Sequence, residues 1–280
     1  MVTEHGDASI ARVRELTGGE GTRKVLECVG LKDALVQSLS STESAPIPSV
    51  MSLIRATPCS PRSVTMSVAG IDHVQAAGAP MAVLTAWRYL VDLGHDVPSP
   101  FTGQVHQPVP ITPGMTVLVN GAAGGVGHFA VQLAKWKGAH VITVASGRHE
   151  QFLRKLGADE FIDYTRTQAA DVVSGVDLVI DTVGGPDSSR FLTVLKRGGT
   201  MLPVFFAQYD PEETARLGIT VSNIQVRSNG PQLAEIRRLF DEGKLQVGVD
   251  STYPLPEASS AHTRAEQGHI QGKIVLTMVS

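Results

Sequence analysis

The sequence has few of the residues on which several classes of protein depend. It contains two cysteines, Cys28 and Cys59, among 280 residues, so neither a disulfide framework nor a cysteine-rich zinc site can be built. Such cysteine usage is typical of a reducing compartment. Aromatic residues make up only 5% and charged residues 18% of the chain, while 42% of the residues are hydrophobic. This balance argues against a disordered chain and indicates a globular protein with a sizeable core.

The chain also lacks an excess of charge and any long apolar run. Lysine and arginine number 24 against 27 acidic residues, which gives a net charge of −3 without a dense basic stretch, and this argues against a nucleic-acid partner. No apolar run approaches the roughly 20 residues of a membrane helix. The N-terminal "MVTEHGDASI" lacks the pattern of a signal peptide. We therefore expect a cytoplasmic protein that binds neither nucleic acid nor a membrane.

From residue 116 onward, short apolar runs alternate with helical patterns. Six runs rich in Val, Ile and Leu are candidate strands, at residues 116–119, 140–145, 160–164, 177–183, 200–206 and 219–226. Their nearly continuous apolar content is typical of parallel strands covered on both faces. Helices ended by glycine are predicted between them, at residues 125–137, 148–156, 187–196 and 231–242. The pattern predicts an α/β fold with a doubly wound parallel sheet.

The flanking regions differ from this pattern. Residues 67–115 read as a helical entry and a proline-rich connector, and the α/β pattern of residues 116–245 is followed by a last helix and strand in 246–280. Residues 1–66 form an irregular N-terminal extension that is rich in Ser, Thr and Pro from Ser38 to Ser63. Its composition leaves open whether the extension is ordered, because it can bury little apolar area by itself.

The strongest chemical signal is the stretch "VLVNGAAGGVGHFAVQLAK" at residues 117–135. A strand ending at Asn120 leads into a turn with Ala122, Gly124 and Gly127 at the spacing G-x-G-x-x-G, and an apolar helix follows. Small residues keep the turn tight, let the backbone approach a pyrophosphate and let the helix pack closely on the strand. The helix N-terminus adds N–H donors and partial positive charge. The stretch therefore predicts a dinucleotide site in residues 116–245, with Ala122 replacing the first glycine.

The end of the next strand favours NADPH over NADH. An NAD site usually has an acidic residue about 20 residues after the glycines, where it accepts a hydrogen bond from the ribose 2′-hydroxyl. Here that strand runs into Ser146, Gly147 and Arg148. A hydroxyl and a guanidinium suit a 2′-phosphate. Glu150 lies close enough in the sequence to keep NADH as the alternative, and Arg148 is otherwise a solvated residue of the next helix.

Seven phrases together identify a family. They are "LTAW" (84–87), the glycine stretch, "LGADEFIDY" (156–164), "DTVGG" (181–185), "LKRGGT" (195–200), "YPLPEASSAH" (253–262) and "GKIVL" (272–276). In this order the chain resembles, over residues 68–280, the zinc-independent quinone-reductase branch of the medium-chain dehydrogenase/reductase superfamily. The resemblance implies a Rossmann domain that binds NADPH and transfers hydride to a quinone or another conjugated carbonyl acceptor. It also implies a homodimer, paired through the strand "ITVSNIQV" (219–226).

The resemblance also assigns the site residues. It implies that Gly124, Gly125 and Val126 contact the pyrophosphate and that Ser146, Arg148 and Tyr164 lie near the 2′-phosphate. Beside the ribose and nicotinamide it implies Thr182, Val183 and Gly184, and covering the nicotinamide ring Phe205, Phe206 and Ala207. Lys273 is expected near the phosphates, Thr85 near the nicotinamide, and Asn120 at the end of the first strand among the cofactor-binding residues. The alternatives are that Tyr164 and Phe205 are core aromatics, that Lys273 is solvated, and that Thr85 bonds its own helix backbone.

Two features concern the substrate. No "GHE" phrase occurs and both cysteines lie outside the matched region, so a metal site is not expected. Members of the family begin with a barrel domain that forms one wall of the substrate cleft, and residues 1–66 do not resemble it. Instead "KVLECVG" (24–30) repeats "LVIDTVGG" (178–185) in register without a glycine loop before it, which indicates a displaced fragment and an unreactive Cys28. The alternative function is therefore a non-catalytic module that binds NADPH or dimerises.

Overall fold

A computed structural model describes residues 71–91, 109–222, 224 and 229–277 of the protein. Its main sheet consists of the parallel strands β1 (Thr116–Asn120), β2 (His140–Ala145), β3 (Glu160–Asp163), β4 (Val176–Asp181), β5 (Leu195–Pro203) and β6 (Thr220–Val221). Their order across the sheet is β3-β2-β1-β4-β5-β6. This is the strand order of a Rossmann fold, and it confirms the predicted doubly wound sheet.

The described residues form eight α-helices, several of which cover the two faces of this sheet. They are α1 (His73–Gly78), α2 (Pro80–Leu90), α3 (Gly127–Trp136), α4 (Glu150–Lys155), α5 (Ala169–Val172), α6 (Pro211–Leu217), α7 (Gly230–Asp241) and α8 (Ala258–Glu266). Short 3₁₀ segments occur at Gly147–His149, Pro186–Val194 and Leu255–Glu257. Within these residues no helix has both the length and the apolar character that a membrane crossing requires.

The core has two parts, one on each face of the sheet. Alternate residues of β1 point to opposite faces: Val117 and Val119 pack in the larger part, with α2, α3 and α7, and Leu118 packs in the smaller one with Phe191. Because both faces are buried, the strands carry almost continuous Val, Ile and Leu. This is the signal by which the sequence predicts the sheet.

A second, two-stranded parallel sheet lies beside the glycine turn. It consists of β7 (Val249–Pro254) and β8 (Lys273–Thr277). The backbone N–H of Gly272 donates to the carbonyl of Ala123 at 2.7 Å. The start of β8 is therefore fixed against the turn that follows β1.

Several predicted elements differ in type or length. The predicted helix at 187–196 is the 3₁₀ helix Pro186–Val194. Its buried residues are Ser188, Phe191 and Val194, which lie three positions apart as on one face of a 3₁₀ helix, and Leu192. Strand β5 consequently begins at Leu195, before the predicted residue 200. Helix α6, capped by Asp210, and strand β7 were not predicted.

Other predictions fall partly or wholly on residues that are not described. Of the predicted strand at 219–226 the structure has β6 at Thr220–Val221, while residues 223 and 225–228 are not described. The N-terminal extension 1–66, with Cys28, Cys59 and "KVLECVG", lies outside the described residues, as does most of the proline-rich connector. The division into four parts stays a prediction.

Candidate functional site

The turn after β1 begins with a glycine that the sequence motif did not single out. Gly121 has a φ of +71°, which a residue with a Cβ adopts with difficulty. A Cβ at this position would lie 2.5 Å from the hydroxyl oxygen of Thr182 and 2.6 Å from Cγ2 of Val183. Ala122, the first position of the predicted motif, is fully buried. Gly121 therefore supplies the tight turn, and Ala122 fits the place usually taken by glycine.

The next glycines leave a concave stretch of backbone. A Cβ on Gly127 would overlap the carbonyl oxygen of Gly121 and the backbone of Ala122, so Gly127 allows α3 to pack on the turn. Among the described residues, the N–H groups of Gly125 and Val126 make no hydrogen bond. No side chain in the described ranges caps this end of α3. Unsatisfied N–H groups at a helix N-terminus form a site for an anion such as a phosphate.

Lys273 brings a positive charge to the same turn. A Cβ on Gly125 would lie 2.9 Å from Cδ and 3.4 Å from Nζ of Lys273. The side chain is half-buried, and burial lowers the pKa of its ammonium group. Within the part of the chain that the structure describes, the ammonium has no hydrogen-bond or ion-pair partner. A half-buried cation without an acidic partner fits a site whose anion is the ligand.

His128 contacts the glycine turn from the protein interior. The side chain is fully buried in the first turn of α3. Its Nδ1 lies 2.9 Å from the carbonyl oxygen of Gly124, and its Nε2 accepts a hydrogen bond of 3.2 Å from the N–H of Gly248. Burial lowers the pKa of His128 from 6.5 to about 4. The neutral imidazole therefore donates through Nδ1 and ties the glycine turn to the segment before β7.

Asp181 organises the neighbouring edge of the sheet. This fully buried carboxylate ends β4 and accepts hydrogen bonds from the side-chain amide of Asn120 at 2.8 Å and from the N–H groups of Val183 at 3.0 Å and Gly184 at 3.1 Å. The hydroxyl of Ser188 donates to its second oxygen. Asp181 thereby joins the carboxyl ends of β1 and β4. The side-chain NH₂ of Asn120 is thus bonded to Asp181. The predicted contact of Asn120 with a cofactor would involve atoms of the residue other than this NH₂ group.

An apolar group lies at the same edge. The predicted residues Val183, Phe205 and Phe206 are 56%, 49% and 54% exposed, so Phe205 is not a core aromatic. Gly184 has a φ of +69°, and a Cβ there would lie 2.8 Å from the carbonyl oxygen of Phe206. The hydroxyl of Thr182 donates to the carbonyl of Asn120 at 2.8 Å. The two segments are thus in contact and present exposed apolar side chains beside the turn.

The predicted 2′-phosphate residues also come together. Ser146 directly follows β2, and the Nε of Arg148 donates to its hydroxyl oxygen at 3.4 Å. The N–H of Tyr164 donates to the carbonyl of Ala145, so Tyr164 is next to this strand end. Its hydroxyl lies 3.1 Å from Nδ1 of His269, a residue that the sequence analysis did not select.

Thr85 matches its alternative interpretation. The hydroxyl donates to the carbonyl of Met81 at 2.7 Å, within α2, and the side chain is buried. Its role near a nicotinamide stays a prediction. In the described part of the chain, no group of three or more His, Cys, Asp or Glu side chains could hold a metal ion.

The comparisons with known proteins agree with this geometry. The sequence model described as zinc-binding dehydrogenase matches residues 156–276. The mouse NAD(P)H oxidoreductase RTN4IP1, mitochondrial, is 32% identical over 235 residues, which cover 75% of this chain and 57% of the relative. The chloroplast envelope quinone oxidoreductase homolog of Arabidopsis thaliana is 33% identical over 169 residues, 57% of this chain and 51% of the relative. The chain thus spans little more than half the length of these curated relatives.

The first of these relatives overturns the predicted location. Cys usage and the N-terminal sequence led to the expectation of a cytoplasmic protein, but the RTN4IP1 proteins of mouse, cattle and human are named as mitochondrial. Cysteine scarcity marks a reducing compartment without telling the cytoplasm from other such compartments, so the prediction is wrong.

A solved structure extends the agreement to three dimensions. The quinone oxidoreductase from Coxiella burnetii superposes with a TM-score of 0.63 at 31% identity and covers 76% of this chain and 63% of its own. The superposition shows that the Coxiella burnetii protein has the same overall fold over the matched residues. The family model, the relatives and this solved structure together support the medium-chain dehydrogenase/reductase superfamily, in its quinone-reductase-like branch, as the family of the chain.

Proposed function

We propose that the protein is an NAD(P)H-dependent oxidoreductase that transfers hydride to a quinone or another conjugated carbonyl compound without zinc. One observation carries the proposal: a glycine turn whose Gly125 and Val126 N–H groups have no partner among the described residues faces the ammonium of Lys273, which likewise has none there. This arrangement fits a pyrophosphate bound at a helix N-terminus. The names of the relatives, an NAD(P)H oxidoreductase and a quinone oxidoreductase homolog, support the class of reaction.

The glycine turn and the strand ends beside it offer groups suited to the parts of a nicotinamide dinucleotide. When bound, the cofactor would supply the hydride. Gly125, Val126 and Lys273 would hold the pyrophosphate, while Val183 and Phe206 would keep water from the nicotinamide end. Asp181 would hold the backbone of the Val183 turn in place through its hydrogen bonds. The contribution of these residues is positioning and a water-poor surface.

Charges at the adenosine end favour NADPH. Ser146 and Arg148 stand where an NAD enzyme usually has a carboxylate. Glu150, the residue that keeps NADH as an alternative, lies 3.3 Å from the guanidinium of Arg154. The carboxylate of Asp163 likewise has partners within the protein, since it accepts hydrogen bonds from the Thr165 N–H at 3.0 Å and from the Thr165 hydroxyl at 2.7 Å. We therefore expect NADPH to bind more tightly than NADH.

Binding and turnover of the full chain test the proposal. NADPH and NADH are titrated against the protein by nicotinamide fluorescence, and NADPH oxidation is followed with a panel of quinones and enones. The metal content of the active protein is measured in parallel. We expect NADPH binding and turnover without bound zinc. NADPH binding without turnover across the panel would favour the non-catalytic module, and failure to bind either cofactor would contradict both functions.

We also propose a homodimer. Strand β6 is the last strand of the main sheet in the described residues, and an open sheet edge can pair with a second copy. The resemblance places the dimer contact at the same strand. Sedimentation or light scattering should give twice the chain mass of 29.7 kDa, whereas a monomer across the micromolar range would contradict the pairing.

A further inference from the structure

The β5–α6 loop, residues 204–210, carries two exposed aromatic rings. Phe205 and Phe206 are each about half exposed. Their rings meet edge to face, with centroids 5.6 Å apart and an interplanar angle of 70°. Because apolar rings are driven out of water, a pair that stays exposed needs a loop whose backbone is held in place.

Backbone hydrogen bonds hold the first half of this loop. The N–H of Val204 donates to the carbonyl of Asp181 at 2.8 Å, and the carbonyl of Phe206 accepts from the N–H of Gly185 at 2.9 Å. Among the described residues, positions 207–209 take part in no backbone hydrogen bond. The second half of the loop therefore depends on side chains.

Tyr209 is the side chain that fixes the second half. Its ring packs against the smaller part of the core, which contains Leu118 and Phe191. Its hydroxyl oxygen is buried and makes no hydrogen bond within the part of the chain that the structure describes. A buried donor without a partner costs about 1–3 kcal/mol. Packing accounts for the ring, but a phenylalanine would pack as well, so packing leaves the hydroxyl unexplained.

Two polar groups lie near this hydroxyl. Burial raises the pKa of Tyr209, the negative charge of Asp181 raises it further, and the hydroxyl of Ser188 lowers it. Ser188 is buried and donates its own proton to the carboxylate of Asp181. Its oxygen therefore keeps lone pairs that can accept a hydrogen bond. A buried donor on the loop thus lies near a buried acceptor that is already bonded to Asp181.

We propose that Tyr209 is a positioning residue for the nicotinamide end, whose hydroxyl donates to Ser188 when the β5–α6 loop closes on the cofactor. The proposal rests on the proposed function and deepens it. Asp181 already fixes the neighbouring turn through the N–H groups of Val183 and Gly184. The added bond would connect the loop to the same carboxylate, so both apolar segments at the nicotinamide end would be held by one buried group.

Tyr209→Phe tests the hydroxyl alone, because it keeps the ring that packs on the core. NADPH affinity and the fluorescence of the bound nicotinamide are measured on the full chain. Adenosine 2′,5′-bisphosphate is the second probe, because it reports on the adenosine end only. We expect NADPH to bind about fivefold more weakly, the effect of one neutral hydrogen bond. The fluorescence of bound NADPH should change, and the affinity for adenosine 2′,5′-bisphosphate should not.

Stability and kinetics distinguish positioning from a structural role. Without cofactor, Tyr209→Phe should unfold at the same denaturant concentration as wild type or a higher one, because the hydroxyl has no bond to lose there. With a quinone that the wild type reduces, kcat should fall about fivefold while the KM for the quinone changes little, since the hydroxyl acts on the nicotinamide end and not on acceptor binding.

Two further variants complete the design. In a Ser188→Ala background the acceptor is gone, so adding Tyr209→Phe should cost almost no further NADPH affinity. Tyr253→Phe, at a half-buried tyrosine of β7, is the matched control and should leave affinity, fluorescence and kcat unchanged.

The outcomes separate this proposal from the proposed function. If NADPH binds and Tyr209→Phe matches wild type in affinity and bound fluorescence, the role of Tyr209 is wrong while the oxidoreductase proposal stands. Equal weakening of NADPH and adenosine 2′,5′-bisphosphate, with a loss of stability, would also overturn it, because the hydroxyl would then serve the fold as a whole. If the wild-type chain binds neither NADPH nor NADH, both proposals are overturned.

Discussion

Gly125 and Gly127 are two residues apart in one turn, but a side chain at each would meet different neighbours. A methyl group on Gly125 meets the flexible end of Lys273, whereas one on Gly127 meets the backbone of Gly121 and Ala122. Side-chain ends move easily and packed backbone does not. The same substitution is therefore a test of function at one position and of stability at the other.

We predict opposite outcomes for the two alanine variants. Gly125→Ala should unfold at nearly the wild-type temperature but bind NADPH about tenfold more weakly, because the methyl group displaces Lys273 and occupies the approach to the phosphate. Gly127→Ala should lose about 1–3 kcal/mol of unfolding free energy from overpacking. Denaturant unfolding and NADPH titration on both variants check this, and equal stability losses in the two would contradict it.

Asp181 provides a second test at the scale of single residues. We predict that Asp181→Asn loses about 3 kcal/mol of unfolding free energy, because an amide NH₂ would face donors that now bond a carboxylate in a fully buried site. Asp171→Asn, at an exposed position of α5, is the control and should be neutral. Denaturant unfolding measures both variants. An unchanged unfolding free energy in Asp181→Asn would show that Asp181 does not stabilise this edge of the sheet.

At the scale of elements, local patterns predict most of the fold. Strands β1 to β4 match their predicted positions within two residues at each end, and β1, β2 and β4 are largely buried apolar runs. The segment at Pro186–Val194 was mistaken for an α-helix, since residues three positions apart lie on the same side of either type of helix. Strand β7 was missed because its residues are only partly buried and carry polar side chains.

His128 connects two elements and makes their contact sensitive to pH. Because burial lowers its pKa from 6.5 to about 4, the unfolded chain binds a proton at this histidine at a higher pH than the folded chain does. The contribution of the neutral His128 to the unfolding free energy is therefore complete above pH 6.5 and is lost as the pH falls toward 4. We predict that the unfolding free energy decreases by about 2 kcal/mol from this residue between pH 7 and pH 5.

A glutamine variant isolates that contribution. Burial also lowers the pKa of His149 and His262, so the slope of the whole protein has several sources. His128→Gln can donate and accept hydrogen bonds without titrating, and its unfolding free energy should depend less on pH over the same range. The difference between the two profiles, measured by urea unfolding, is the expected signal. Superimposable profiles would mean that His128 is not kept neutral by the fold.

At the scale of the whole molecule, the site is assembled from distant parts of the chain. The glycine spacing predicts the turn, and the family resemblance selects Lys273 and the apolar residues. The sequence gives no sign of the contact between His128 and Gly248, 120 residues apart, or of that between Tyr164 and His269, 105 residues apart. Such contacts depend on how the second sheet packs against the first, and no local period encodes that packing.

Lys273 joins the two sheets at the glycine turn, and its replacement should affect stability and binding in opposite directions. Lys273→Met retains the apolar stem but removes a half-buried ammonium that has no acidic partner among the described residues. We predict that the ligand-free variant is as stable as wild type or more stable, because no charge remains to be desolvated. NADPH binding should weaken about tenfold and become less sensitive to salt, since one phosphate contact is lost.

Thermal unfolding and NADPH titration at two salt concentrations measure these effects. Lys155→Met, at an exposed position at the end of α4, is the matched control and should leave the NADPH affinity unchanged. A site residue held at a cost to the fold gives this combination of gained stability and lost affinity. If Lys273→Met were instead less stable and bound NADPH normally, the lysine would serve to pack the two sheets, and the anion site at the turn would consist of backbone N–H groups alone.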